Sequence, residues 1–488
     1  MNKARVAIIG AGIVGASIAR VLSRYENLEV HLIEMEADVG WGVSKANTAI
    51  LHAGYDDDPN LYPNRAKYCI RGNYLWRKWT KQLQIRASWN GSLVLSFSEE
   101  DEEELYNLLE RGERNGVKEL RIIEKDEIQK LEKNASPSAT LALWAPTAGQ
   151  ISPFEAVTAL VENAVENGVI LHLETKVLDI VEDGTRITKL VTNNGEIEVD
   201  WVINAAGLYA DYIDKLVGGS EFKITPRRGE YFLFDSTAEP KVTRILFPAP
   251  KPKSKGVVVT TTVDGNLMIG PNATDLPEEE KENKETTQEG LEEVWRDASK
   301  LVKSLPPKSK VIKTFAGLRP EPTGGDFIIK PHDSLLGFIN VAGMRSPGLT
   351  SAPAVAYEIP KMLLHLGARL VLKKNWNPTR KRIIRFSEVS NRRKNKLIAM
   401  NPLYGNIVCQ CEMVTEAEVV EAIRRGARTI EGVKLRTRAG MGRCQGAFCR
   451  AKIAMILSRE LKIKPWQVRV KGAGSEIGVG DLFSLLHE

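Results

Sequence analysis

Short apolar, β-branched runs alternate with stretches of helical spacing from the first residues onward. Residues 6–9 read as a buried strand, 13–22 have helical spacing, and 29–33 (EVHLI) read as a second strand, so the chain opens on a βαβ unit. Residues 101–115 predict a charged helix with apolar Leu105, Leu108 and Leu109. Residues 153–167 predict a second helix, followed by strands at 169–173 and 177–181. Residues 201–205 (WVINA) predict a buried strand ending in small residues, and 223–234, 256–262 and 266–270 predict strands of a second sheet. A last apolar strand at 338–342 leads through Gly343 to a helix near 352–366. The return to strand, glycine and helix after a mixed middle predicts two interleaved domains, with the first unit and the segment near 340 in one sheet. The charged stretch 278–289 reads as surface, and a new start follows at Asn401-Pro402. There is no internal repeat and no low-complexity tract.

The turn of the opening unit is Gly10-Ala-Gly12-Ile13-Val14-Gly15, and Glu34 ends the second strand nineteen residues after Gly15. Strand, helix and acid at these distances form a dinucleotide fingerprint. Gly10 allows the tight turn, Gly12 lets backbone approach a pyrophosphate, and Gly15 lets helix and strand pack closely. The helix N-terminus offers N–H donors and partial positive charge, and Glu34 accepts from ribose hydroxyls. The same run is basic at residues 1–5 and apolar over 6–19, the outline of a signal peptide, but its three glycines and Arg20 favour the nucleotide turn. No segment has 18 uninterrupted apolar residues, so no transmembrane helix is expected.

At 488 residues the chain suggests about three domains, and 43% hydrophobic with 27% charged residues excludes a disulfide miniprotein, a collagen or wholesale disorder. The net charge of +6 is uneven. Residues 369–396 hold eleven Lys/Arg against Glu388 alone, a local +10 that leaves −4 for the rest. A uniformly basic nucleic-acid binder is therefore excluded. The tract reads either as a solvated linker or as a docking segment for a partner or an anionic membrane surface.

Four of the five cysteines share one C-terminal stretch: Cys409-x-Cys411, thirty-two residues, then Cys444-x4-Cys449. That distribution predicts a local metal site in a reducing cytoplasm, with Cys69 a packed residue. Each pair has the spacing to hold one metal. Residues 434–450 carry five cations, Lys434, Arg436, Arg438, Arg443 and Arg450, and no acid, which would offset a thiolate-ligated 2Fe–2S core. Gly440, Gly442 and Gly446 let N–H groups approach the sulfurs. Zinc on four cysteines is the alternative, for which paired C-x2-C knuckles are more usual. Val414-Thr415 supplies an N-cap for an expected helix at 416–425.

FAD and NAD share the fingerprint, and later segments separate them. Residues 40–57 (GWGVSKANTAILHAGYDD) resemble the glycine/serine-rich stretch that wraps flavin in the D-amino-acid-oxidase-like family of FAD oxidoreductases. So do Asn204-Ala205-Ala206-Gly207, Phe315-Ala-Gly317-Leu-Arg319-Pro320 and Gly343-Met344-Arg345-Ser346-Pro-Gly348-Leu349-Thr350, a resemblance spanning roughly residues 4–375. The stretch IVCQCEMVTEAEVVEAI…GVKLRTRAGMGRCQGAFC resembles bacterioferritin-associated-ferredoxin-like 2Fe–2S domains. The combination is similar to FAD-dependent, respiratory-type sn-glycerol-3-phosphate dehydrogenase catalytic subunits, and the flavin body also resembles L-2-hydroxyglutarate dehydrogenases.

The resemblance implies an α/β plus α+β fold. A Rossmann-like FAD-binding domain (1–80, 145–220 and 325–375) is interleaved with a mixed-sheet substrate or cap domain (81–144 and 221–324), followed by a basic linker (376–404) and a small helical 2Fe–2S domain (405–488). It implies FAD contacts from Gly10, Gly12, Ile13, Val14, Gly15, Glu34, Met35, Ser44, Lys45, Asn47, Thr48, Ala205, Ala206, Gly207, Gly317, Gly343, Met344, Arg345, Ser346, Gly348, Leu349 and Thr350. The cluster falls to Cys409, Cys411, Cys444 and Cys449.

Flavin oxidation of an alcohol or amine needs a C–H bond against the ring, a base for the X–H proton and a cation for the substrate's anionic end. His52, with Tyr55 beside it, is the first candidate base and His332 the second. His31 and His172 lie in strand patterns, His365 in a helix and His487 in the tail. The resemblance points Arg319 at the substrate's carboxylate or phosphate, with Arg345 as a second such cation; Arg228-Gly-Glu230-Tyr231 is expected to line the substrate wall. The implied activity is oxidation of sn-glycerol 3-phosphate to dihydroxyacetone phosphate. Electrons would leave through the cluster to a partner subunit or quinone-linked acceptor, in the cytoplasm or peripherally at the inner face of the membrane, with no nucleic acid as partner. The alternatives are a 2-hydroxy-acid or amino-acid dehydrogenase, and an electron-transfer subunit without substrate chemistry.

Overall fold

The computed structural model describes residues 3–251, 256–478 and 480, so His487 lies outside the described residues. The chain forms two units: Met1–Ile33 with Gly40–Arg380, and Glu34–Val39 with the chain from Lys381 onward.

In the first unit, β1 (Ala4–Ile9), α1 (Ile13–Leu22) and β2 (Leu28–Ile33) form the expected βαβ opening. Every residue of α1 is buried, Arg20 included, which is why the run is apolar almost all round. Next comes α2 (Pro63–Leu83), a 21-residue helix that the apolar pattern does not announce. Its buried face mixes Trp76, Trp79 and Leu83 with Gly72, Asn73 and Thr80, which breaks the stripe. Then follow α3 (Pro153–Glu166), β3 (Ile170–His172) and β4 (Trp201–Asn204). The strands β5 (Ile224–Phe234) and β6 (Val311–Pro322) pair antiparallel, with Arg227 opposite Arg319 and Gly229 opposite Gly317. The unit closes with β7 (Ile328–Pro331), β8 (Phe338–Ala342) and α4 (Gly348–Ala356). The single helix expected near 352–366 is two helices, α4 and Ile359–His365, because Pro360 forces a restart.

The six-stranded sheet has the order β7-β8-β4-β1-β2-β3, with only the β7–β8 pair antiparallel. The first strand pair and the segment near 340 thus share one sheet, joined through β4. A nine-stranded sheet carries β5 and β6, together with Val258–Thr261 and Leu267–Gly270. Its core gathers Phe234, Leu246, Val259, Ile269 and Leu301.

In the second unit a two-stranded ladder, Ile407–Cys409 with Val414–Thr415, precedes α5 (Glu416–Arg424), α6 (Ile430–Thr437) and α7 (Arg450–Leu461). Thr415 caps α5 as expected, in a full capping box with Glu418. Val419, Val433, Ile453 and Leu457 form the core. Within the basic tract, Asn391–Met400 is a helix with only Leu397 buried. Among the described residues no helix is long and apolar enough to cross a membrane.

Candidate active site and cluster site

The carboxyl ends of β1, β4 and β8 lie side by side, and each runs into a small residue: Gly10, Ala205 and Gly343. This end of a parallel sheet is where nucleotide sites form, because helix N-termini open there. Gly10 has φ +102°, and a Cβ on it would lie 2.6 Å from the Ala205 carbonyl oxygen. A Cβ on Gly15 would lie 1.9 Å from the Gly10 oxygen, so turn and helix can meet only at glycine. At the N-terminus of α1, the Ile13 N–H donates to Ser44 Oγ at 2.9 Å. Ser44 belongs to the turn Val43–Lys45, where Asn47 ties the segment down by donating to the Ser44 carbonyl at 2.9 Å and accepting the Ala49 N–H at 2.8 Å. A Cβ on Gly317 would lie 2.0 Å from the Ala46 oxygen, so β6 passes directly against this segment. Thr48 Oγ1 is 3.4 Å from the Tyr231 hydroxyl. Trp41 is buried with its Nε1 lacking a partner among the described residues. Glu34, just after β2, accepts the Glu36 N–H at 3.0 Å. Side-chain-free backbone beside a helix N-terminus, a serine at its mouth and an orphaned indole N–H fit a bound dinucleotide.

His52 follows the short strand Ile50–Leu51. Its N–H donates to Thr350 Oγ1 at 3.0 Å, and its carbonyl accepts from Asn73 at 2.9 Å. The ring has Nδ1 3.4 Å from Asp56 Oδ2 and Nε2 3.3 Å from Ser346 Oγ. The structure therefore brings together the flavin-segment histidine and the Gly343–Thr350 turn, and adds Asp56, which sequence reasoning missed. Tyr55, read as the neighbour of the base, instead packs in a hydrophobic cluster with Leu105, Leu143 and Phe247, its hydroxyl 3.4 Å from Ser92. Burial pushes its hydroxyl pKa well up, which unsuits it to proton exchange. His332, the second candidate base, holds its own turn: Nδ1 accepts the Leu335 N–H at 3.2 Å. Cys69 packs against the His52 carbonyl, 3.9 Å away. His31 and His172 stack on each other across β2 and β3, with ring nitrogens 3.0 Å apart.

Arg319 is half-buried on β6, with its Nε buried and without a hydrogen-bond partner among the described residues, and it donates to the carbonyls of Asn272 and Arg228. Its neighbours are charged. Glu321 lies 2.5 Å from Arg345 Nε and 3.2 Å from Arg227 Nη1. Arg227 also holds Asp275, and Arg65 holds Asp57. Four guanidiniums thus face three carboxylates, and among the described residues Arg319 is the one without a carboxylate partner. Burial lowers the Arg319 pKa. Burial first and the charge of Arg65 second bring Arg345 down to about 10, so both stay cationic at neutral pH. Arg65, Arg227 and their acids carry no local signature and were missed. Arg228 and Glu230 line no open wall: Glu230 is buried, pairs with Arg228 at 3.4 Å and accepts the Thr287 N–H at 2.8 Å.

In the second unit the sulfur contacts run across the two sequence pairs. Cys411 Sγ lies 3.6 Å from Cys444 Sγ, and Cys449 donates to Cys409. Spacing alone grouped them within each pair. Cys409 is drawn down to about 6, first by the Cys449 thiol and then by the N–H groups of Gly440 and Glu412. Burial alone would raise Cys444, but the N–H groups of Phe448 and Gly446 outweigh it and leave it lowered. Two thiol pairs ringed by backbone donors fit a binuclear iron–sulfur core. The five cations are not all available to offset it. Lys434 pairs with Glu431, Arg436 with Asp38 and Arg438 with Glu412, acids that lie outside the stretch. Arg443 and Arg450 are exposed, with no carboxylate partner among the described residues.

Residues 5–361 match the FAD dependent oxidoreductase family (DAO), and residues 407–459 match the BFD-like 2Fe–2S binding domain. The chain is 44% identical over 479 residues to a glycerol 3-phosphate dehydrogenase of Caloramator mitchellensis, covering 97% of this chain and 98% of that one. It is 32% identical over 385 residues to a glycerol 3-phosphate oxidase of Mycoplasma genitalium, covering 78% and 98%. The solved, FAD-bound L-alpha-glycerophosphate oxidase of Mycoplasma pneumoniae superposes with a TM-score of 0.72 at 31% identity, over 78% of this chain and 99% of that one. The glycine cradle and these matches thus define a flavin-dependent oxidoreductase. The chain belongs to the DAO family of FAD-dependent oxidoreductases and carries a C-terminal BFD-like 2Fe–2S binding domain.

Proposed function

We propose that this enzyme oxidises sn-glycerol 3-phosphate to dihydroxyacetone phosphate and delivers the electrons to a separate acceptor. The observation that carries the substrate class is Arg319, whose guanidinium has a buried Nε without a hydrogen-bond partner and no carboxylate in ion-pair contact among the described residues. A buried guanidinium N–H without an acceptor is costly until an anion enters, and a phosphate supplies the acceptor with fork-shaped complementarity. The Caloramator relative, over nearly the whole chain, and the Mycoplasma genitalium relative, over its flavin part, are named for glycerol 3-phosphate.

FAD, when held by Gly10, Gly12, Ile13, Val14, Gly15, Ser44, Lys45, Asn47, Thr48, Ala205, Ala206, Gly207, Gly317 and the Gly343–Thr350 turn, would supply a hydride acceptor, and a 2Fe–2S core on the four cysteines would supply a one-electron acceptor. His52 takes the proton of the carbon-2 hydroxyl at Nε2. The Asp56 carboxylate beside Nδ1 favours the tautomer with its proton there, which leaves Nε2 as the acceptor. Ser346, within hydrogen-bond reach of Nε2, fixes the ring's tilt. Arg319 fixes the phosphate end, with Arg345 as the second cation. The acceptor is a separate electron-accepting protein. The exposed cations of helix Asn391–Met400 are the segment available for an anionic membrane surface at the cytoplasmic face.

Anaerobic titration tests this reading. Glycerol 3-phosphate is expected to bleach the bound flavin. Bleaching by 2-hydroxyglutarate or an amino acid instead would replace the substrate, and no bleaching by any of them would leave an electron-transfer subunit. Arg319→Ala is expected to raise KM for glycerol 3-phosphate by about 10²–10³-fold, the cost of removing one partner of a buried charge pair. FAD content should change little, and Arg319→Lys should recover part of the loss. Equal loss of FAD and affinity would make Arg319 structural.

A further inference from the structure

The loop that holds Cys444 presents an unusual surface. Phe448, between Cys444 and Cys449, is 82% exposed, and Met413, in the turn after Cys411, is 42% exposed. The two loops lie against each other: Cys411 and Cys444 are 3.6 Å apart at sulfur, a Cβ on Gly442 would lie 2.4 Å from Cys411 Cβ, and the Phe448 N–H donates to Cys444. Cys411 and Ala447 are exposed, whereas Cys409 and Cys449 are buried. One side of the cysteine site therefore faces solvent and the other faces the core. Arg443 and Arg450, next in sequence to Cys444 and Cys449, are exposed and are the two cations of the stretch with no carboxylate partner among the described residues. An exposed phenylalanine and methionine interrupt an otherwise polar loop, and the exposed side chains of Arg443 and Arg450 put positive charge outermost, over the negative charge of a cluster held partly by buried thiolates.

We propose that this face, with Phe448 and Met413 at its centre and Arg443 and Arg450 at its rim, is where electrons leave, and that its occupant is a small electron-carrier protein with an acidic rim and an apolar centre. The inference rests on the cluster reading above. A small apolar centre with a charged rim suits a brief encounter, as redox partners need, more than a permanent interface. A second copy of this chain would set like charges against each other across a two-fold axis. The transfer moves one electron from the reduced cluster to the carrier, and no bond forms or breaks.

The test uses the full-length protein with both cofactors, reduced by dithionite so that substrate chemistry is bypassed. Iron and sulfide are assayed first, and their absence would remove the cluster reading itself. With the cluster present, reoxidation is followed by visible absorbance with ferricyanide, an anion, and hexaammineruthenium(III), a cation; binding of an acidic flavodoxin is measured by calorimetry. Wild type should lose rate toward ferricyanide and gain it toward the ruthenium complex as salt rises. Arg443→Glu/Arg450→Glu should lower the ferricyanide rate and weaken flavodoxin binding, each by about tenfold or more at low salt, with flavin reduction unchanged. Phe448→Ser, which leaves the charges in place, should weaken flavodoxin binding several-fold without altering either small-ion rate. Wild-type rates with no salt dependence, flavodoxin that fails to bind or binds all variants alike, or binding to anionic vesicles that the same substitutions abolish, would each overturn the assignment.

Discussion

His52→Ala is expected to lower kcat with glycerol 3-phosphate by about 10²–10⁴-fold, the range for losing a positioned general base. The measurement is the rate of anaerobic flavin reduction in a stopped-flow mixer, which isolates this half of the reaction from the acceptor. The argument rests on what surrounds each nitrogen. Nδ1 faces Asp56, and Nε2 faces Ser346 in the turn at the carboxyl end of β8. The backbone of His52 is held separately, through Thr350 and Asn73, so removing the ring should leave the segment in place. FAD content and KM should then stay within a few-fold of wild type. Asp56→Asn keeps the ring but alters the tautomer preference and should cost less than removing it. An unchanged rate in His52→Ala would remove His52 as the base, and the proton would have to leave to water.

What the sequence made legible is what local chemistry dictates. The turn at Gly10–Gly15 is readable because three glycines, a strand and an acid occupy fixed spacings that serve one purpose. Thr415 is readable as a cap because its partner Glu418 is only three residues on. The four cysteines are readable as a site because thiols gathered in one stretch have few other uses. Other features depend on residues far apart in the chain. Nothing near Arg227 announces Asp275 as its partner within the arginine cluster, and nothing near Arg345 announces Glu321.

The same cause explains the misreadings. Tyr55 stands beside Asp56 in sequence, but the chain bends at Gly54 (φ +108°) and again at Asp56, and Tyr55 turns into the core while Asp56 meets His52. Residues 434–450 contain no acid, yet Asp38, Glu412 and Glu431 reach three of their cations from outside the stretch. Counting charge along the chain thus overstated what is left to offset a cluster, and only the folded structure separates Arg443 and Arg450 from the rest. The helix α2 escaped because its buried face is written partly in Gly72, Asn73 and Thr80, residues whose value there is close approach and hydrogen bonding. A Cβ on Gly72 would lie 2.0 Å from the Thr350 carbonyl oxygen.

Cys444→Ser should take iron and acid-labile sulfide from about two of each per chain to near none, because loss of one of four thiolate ligands leaves an iron without its fourth bond to protein or sulfide. The flavin half should survive. The first unit has cores of its own, and none of the residues assigned to substrate, Arg319, Arg345 or His52, lies in the second unit. Anaerobic bleaching by glycerol 3-phosphate is therefore expected to proceed at close to the wild-type rate, while steady-state turnover with an acidic electron carrier falls to background. Cys69→Ser serves as the control, since Cys69 packs in the first unit and should leave iron, sulfide and turnover unchanged. Two results would break the scheme in different places. Zinc in place of iron in wild type would remove the one-electron path altogether. Iron lost with turnover intact would mean that electrons reach the carrier directly from the flavin, and that the second unit serves some other end.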